Sequence, residues 1–134
     1  MIPLADPSVT PDAPGKDERF RKSERLTRRS QFLETRRAGR RAEGRWVILY
    51  LVPNDLGFAR IGLTASKKVG NAPVRNRWKR RLREIFRHQK ALFSSYDLVV
   101  IIKRGNKEPS FEALQSDLLK TLGKGQRFLE RDRT

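Results

Sequence analysis

The clearest alternation of side chains along the chain is "RWVILYLV", residues 45 to 52. In an extended strand, Trp46, Ile48, Tyr50 and Val52 fall on one face and Val47, Leu49 and Leu51 on the other. Both sets are apolar, so each face needs a cover. "PNDLG" ends the run as a turn, and "FARIGLTAS" reads as the returning strand of a hairpin. Its Ala59, Ile61, Leu63 and Ala65 share one face, opposite a leaner set of Arg60, Gly62 and Thr64. "YDLVVIIKRG" reads as a third, buried strand bounded by Gly105.

Helical spacing appears three times. "RLTRRSQFLETRRAGRR" predicts a short basic helix, with Thr27 or Ser30 as cap and Gly39 as stop. "EPSFEALQSDLLKTLG" predicts a closing helix capped by Ser110, with Phe111, Leu114, Leu118 and Leu122 on one face and Gly123 at its end. Between them lies "NAPVRNRWKRRLREIFRH", residues 71 to 88. At about 100° per residue its Val74, Trp78, Leu82, Ile85 and Phe86 fall within an arc of roughly 120°. The predicted order is helix, strand, strand, helix, strand, helix, an α+β two-layer sandwich.

Charge changes the picture. The chain has 134 residues, 31 Lys and Arg against 15 Asp and Glu, and a formal net charge of +16. Self-repulsion on that scale points to a polyanionic partner. Residues 66 to 90 hold ten basic groups against one acid, and residues 16 to 45 hold twelve against five. Lys79, Arg80, Arg83 and Arg87 oppose the apolar stripe of the middle helix, which is therefore greasy toward the fold and cationic outward. Arg predominates in both segments, and its planar fork suits phosphate.

Other chemistry is thinly represented. The chain has no Cys, which excludes disulfides and thiol catalysis. Its carboxylates show no cluster for a two-metal site, and the lone His88 has no evident acid–base partner. No apolar run reaches the ~20 residues of a membrane span. Pro3, Pro7, Pro11 and Pro14 mark residues 1 to 24 as a disordered lead-in without a secretory signal, and residues 123 to 134 read as a flexible basic tail. The expected location is the cytoplasm. Phe32 and Tyr50 offer stacking surfaces for single-stranded nucleic acid.

The stretch "IGLTASKKVGNAPVRNRWKRRLREIFR" closely resembles the signature of the bacterial ribonuclease P protein subunit, and "RLTRRSQF" and "DLVVIIKRG" extend the resemblance over about residues 25 to 122. It implies a ribosomal-protein-like αβββαβα sandwich with a left-handed βαβ crossover, where the general rule gives a right-handed one. It also implies a protein that binds the catalytic RNA of ribonuclease P and the 5′ leader of precursor tRNA, assisting Mg²⁺-dependent removal of the leader. The RNA would hold the catalytic Mg²⁺, no catalytic residue lies on this chain, and no obligate protein partner or membrane is expected.

By the same resemblance, Arg75, Asn76, Arg77, Lys79, Arg80 and Arg83 contact the catalytic RNA. Phe32 and Tyr50 line the leader cleft, with Lys67 and Lys68 at its basic edge. Arg36 stands where the family often has a second aromatic, which shifts the expected leader contact from stacking toward phosphate. The alternative is a ribosomal or general RNA-binding protein with no part in cleavage.

Overall fold

A computed structural model describes residues 22–105 and 107–133. A 3-10 turn at Lys22–Glu24 leads into helix α1 (Arg29–Ala38), strands β1 (Arg40–Glu43), β2 (Val47–Pro53) and β3 (Arg60–Thr64), and helix α2 (Ala72–His88). A short helix α3 (Lys90–Phe93), strand β4 (Tyr96–Ile102) and the long helix α4 (Phe111–Arg133) complete the order. The four strands form one sheet in the order β1-β2-β4-β3.

The core lies between the sheet and helices α2 and α4. Val47, Leu49 and Leu51 of β2 meet Leu98, Val100 and Ile102 of β4 on that face. Trp78, Leu82, Ile85 and Phe86 cover them from α2, and Leu114, Leu118 and Leu122 from α4. Phe93 closes the end, edge-on to Phe86 with ring centroids 5.1 Å apart. Helix α1 packs over the opposite face of β2 and β4.

The hairpin expected between β2 and β3 does not form. Strand β4 lies between them, antiparallel to β2 and parallel to β3. Leu98, Val99 and Val100 are all fully buried, so β4 is apolar on both sides and belongs at the centre. Strand β3 has five residues and a polar face, which suits an edge. Arg60 fixes its register through a bidentate pair with Asp97 of β4, at 2.8 and 2.6 Å. The hairpin that does form joins β1 to β2. Strand β1 is "RRAE", too charged to read as a strand, and only Ala42 in it is buried.

Two helix ends also differ. Neither Thr27 nor Ser30 caps α1; the cap position is Arg28, and the Gln31 side chain accepts the N–H groups of Thr27 and Arg28, both at 2.9 Å. Gly39 ends α1 and Ser110 caps α4 as expected. Gly123, however, does not end α4. The helix runs on to Arg133, so residues 123–133 are helical where a flexible tail was expected. Its inner line continues through Gly125 and Leu129, and a Cβ at position 125 would collide with Leu51. Glycine there lets the helix lie close on the sheet. Of the lead-in expected to be disordered, residues 1–21 lie outside the described residues, and Glu24 is buried against Lys90 at 2.8 Å.

Asp117 of α4 ties the β1–β2 turn to the helix by accepting the N–H groups of Arg45 and Trp46 at 2.8 and 2.9 Å. Asp117→Ala leaves both donors unmatched, and chemical denaturation should report a loss of about 1–3 kcal/mol.

Candidate nucleic-acid interface

Helix α2 begins where Asn71 accepts the N–H of Val74 at 3.1 Å, and Pro73 sits in its first turn. Burial of Trp78, Leu82, Ile85 and Phe86 fixes its rotation. Its outer residues then fall in three lines at i,i+4 spacing: Arg75–Lys79–Arg83, Asn76–Arg80 and Arg77–Arg81.

The three lines differ in their partners. Glu108, from the segment before α4, holds Arg77 at 2.8 Å and Arg81 at 3.0 Å, and Arg81 also donates to the Pro109 carbonyl at 2.8 Å. The hydrogen bond with Arg77 is the main cause that holds the Glu108 carboxyl below its ordinary range. Arg87 pairs with Glu84 at 2.8 Å. Among the described residues Arg75, Lys79, Arg80 and Arg83 have no carboxylate partner, and Arg75 Nε is buried without a hydrogen bond. Burial first, then Arg25 and Arg80, pushes the Arg83 pKa down. The outer face of α2 thus keeps uncancelled positive charge.

The second surface is the sheet face under α1. Tyr50, Val99 and Gly62 form one row across the strands, and Ile48, Ile101 and Thr64 the next. Helix α1 lays Phe32 on Gly62, where a Cβ would lie 2.5 Å from the ring. One turn on, the Arg36 guanidinium sits over the Tyr50 ring, 5.4 Å from its centroid. Phe32 and Tyr50 are half-buried, so each packs on the fold and keeps an open side. Lys67 and Lys68 are exposed in the turn beyond β3.

The structure therefore unites Phe32, Arg36 and Tyr50, and places the two lysines apart from them at one end of the face. It divides the expected α2 set, since Arg77 is already engaged. Sequence reading missed Gly62, whose missing side chain seats Phe32, and Glu108, which stands alone in an irregular segment. The doubly apolar strand 45–52 was the signal for the Ile48–Ile101 floor. Among the described residues no three His, Asp or Glu side chains come together to share a metal ion. No helix among them is long and apolar enough to cross a membrane.

An α+β fold in which one four-stranded sheet carries a cationic helix on one side and an aromatic–guanidinium face on the other defines a protein of the nucleic-acid-binding class. Residues 20–126 match the family model described as Ribonuclease P. The ribonuclease P protein component of Citrifermentans bemidjiense is 40% identical over 105 residues, 78% of this chain and 90% of that protein. The Staphylococcus aureus RNase P protein superposes with a TM-score of 0.70 at 29% identity, covering 76% of this chain and 94% of that one. The Thermotoga maritima RNase P protein gives 0.69 at 29% identity, covering 75% and 96%. The chain belongs to the ribonuclease P protein component family, a part of the enzyme that processes tRNA.

Glu108→Gln should cost at most about 1 kcal/mol, because the ion pairs are partly solvated. A carboxylate with a depressed folded pKa stabilises above its unfolded value of about 4.3, and that contribution fades as pH falls through the lower folded value. Denaturation of both proteins between roughly pH 6 and pH 3 should show the variant losing less stability than the parent chain.

Proposed function

We propose that the chain binds the catalytic RNA of ribonuclease P through the outer face of α2 and receives the 5′ leader of precursor tRNA on the sheet face under α1. The observation that carries this reading is the uncancelled charge of Arg75, Lys79, Arg80 and Arg83 on a helix whose rotation the core dictates. Phosphates of a folded RNA supply the missing anions, and Asn76, one turn before Arg80 in the neighbouring line, adds a neutral donor. Arg77 joins them by exchanging Glu108 for phosphate, a swap between two charge-assisted partners.

The leader face works by difference. Mature tRNA lacks the leader, so contacts made there favour substrate over product. Phe32 offers the open side of its half-buried ring for stacking, Arg36 on Tyr50 offers a flat cation for a phosphate or a base, and Lys67 and Lys68 extend the charge beyond β3. In this reading the RNA holds the Mg²⁺ that assists phosphodiester cleavage, a division supported by described carboxylates that do not gather into a shared metal site. The chain's part is binding and orientation, carried out in the cytoplasm where precursor tRNA is processed.

The deciding experiment adds the chain to ribonuclease P RNA at low Mg²⁺. Restored cleavage of precursor tRNA is expected, and a general RNA-binding protein would bind without restoring it. Assembly should weaken steeply with salt, and reversing Lys79, Arg80 and Arg83 to Glu should flatten the log–log slope by roughly two to three. Phe32→Ala should lower the affinity ratio of precursor to mature tRNA by roughly tenfold. An unchanged ratio removes Phe32 from the leader face.

A further inference from the structure

Between the start of α1 and the middle of α2, the outer edge of β3 opens into a pocket of about 430 Å³. Ile61, Gly62 and Leu63 form its floor. One wall is the chain at residues 25–27, held in place because the Leu26 N–H donates to the Ile61 carbonyl at 3.0 Å and Arg25 bridges to the same residue. The opposite wall is Lys79 and Arg83, one turn apart on α2. Phe32 closes the side toward the leader face, its ring seated on Gly62.

Size and lining together select a ligand class. The volume falls near the lower end of the roughly 300–1,000 Å³ of small-molecule sites. A site for a bare anion needs cations but no aromatic and aliphatic floor, and a site for an apolar ligand needs no cations. Here both are present on adjoining walls. Among the described residues no carboxylate cancels Lys79 or Arg83, and the field of Arg25 and Arg80 adds to burial in depressing the Arg83 pKa. The wall is thus primed for one phosphate beside a flat, weakly polar body.

We propose that this pocket takes a single unpaired nucleotide of the bound RNA, with its base on Phe32 at the β3 edge and its phosphate on Lys79 and Arg83. This rests on the RNA-binding function above and adds a site that joins its two surfaces around the β3 edge. A nucleotide held here would fix the register of the RNA along α2, which rows of surface cations by themselves leave free to slide.

The full chain without RNA provides the test. Amide chemical shifts are followed during titration with adenosine 5′-monophosphate, adenosine and inorganic phosphate. The monophosphate should bind roughly tenfold more tightly than either of the others, with shifts centred on Thr27, Gly62 and Leu63. Thr27→Trp narrows the exposed rim without removing a cation, and should erase that advantage while leaving phosphate binding in place. Should that variant fail to fold, the three titrations on the parent chain still decide. Equal affinity for monophosphate and phosphate overturns the pocket, as do shifts that bypass those three residues. Ribonuclease P RNA should then displace the monophosphate, and a monophosphate retained in the assembled complex overturns RNA as the occupant. A chain that assembles with RNA but shows no monophosphate preference loses the pocket and keeps the function.

Discussion

Burial of one helical stripe governs the molecule. Trp78, Leu82, Ile85 and Phe86 are within 2% of full burial, and each contributes roughly 1.5–3 kcal/mol on leaving water. Their sum, on the order of 8 kcal/mol, exceeds the few tenths that each like-charge neighbour costs along the helix. Docking therefore wins over repulsion, and the cations are carried to the surface whether or not a partner is present. A helix that could rotate would spread its charge and bury some of it. This one cannot, so its basic side is a fixed feature of the fold.

The second constraint is the central position of β4. Because both of its faces are apolar, it draws β2 to one side and β3 to the other, and the chain must cross from β3 to β4 through α2. That crossover sets α2 beside the β3 edge and brings Lys79 and Arg83 near Phe32, which belongs to a helix on the other face of the sheet. Gly62 makes the meeting possible from the other direction. With any side chain there, Phe32 would be lifted from the sheet, and Arg36 would lose its placement over Tyr50.

Acidic residues do quieter work in so basic a chain. Asp97 fixes the register of β3, Asp117 holds the first hairpin, and Glu24 anchors the segment before α1 through Lys90. Glu108 differs because it sits at the border of the candidate interface and occupies two guanidinium groups there. It keeps Arg77 and Arg81 extended and oriented, which lowers the entropy each would lose on meeting a phosphate. The cationic face is thus partly prearranged by an anion of the chain's own.

Sequence by itself determined the elements whose signals are local. The periodic apolar positions of α2 and α4, the alternation in β2 and the stops at Gly39 and Gly105 are all read along the chain, and so is the cationic side of α2. Its dense motif also carried the family. The tertiary structure decided whatever depends on residues far apart. Strand β1 forms only because β2 offers it a partner edge, and the turn at Pro53–Asn54 looked like a hairpin until β4 competed for the position. Helix α4 passes through Gly123 because contacts with Leu51 and β1 outweigh the small preference of glycine against helix. The pairing of Arg77 with Glu108, the stack of Arg36 on Tyr50 and the pocket at the β3 edge have no local signature. Each is a contact between side chains that only the packed sheet brings together, and hydrophobic burial, being non-directional, does not announce in sequence which distant groups it will make neighbours.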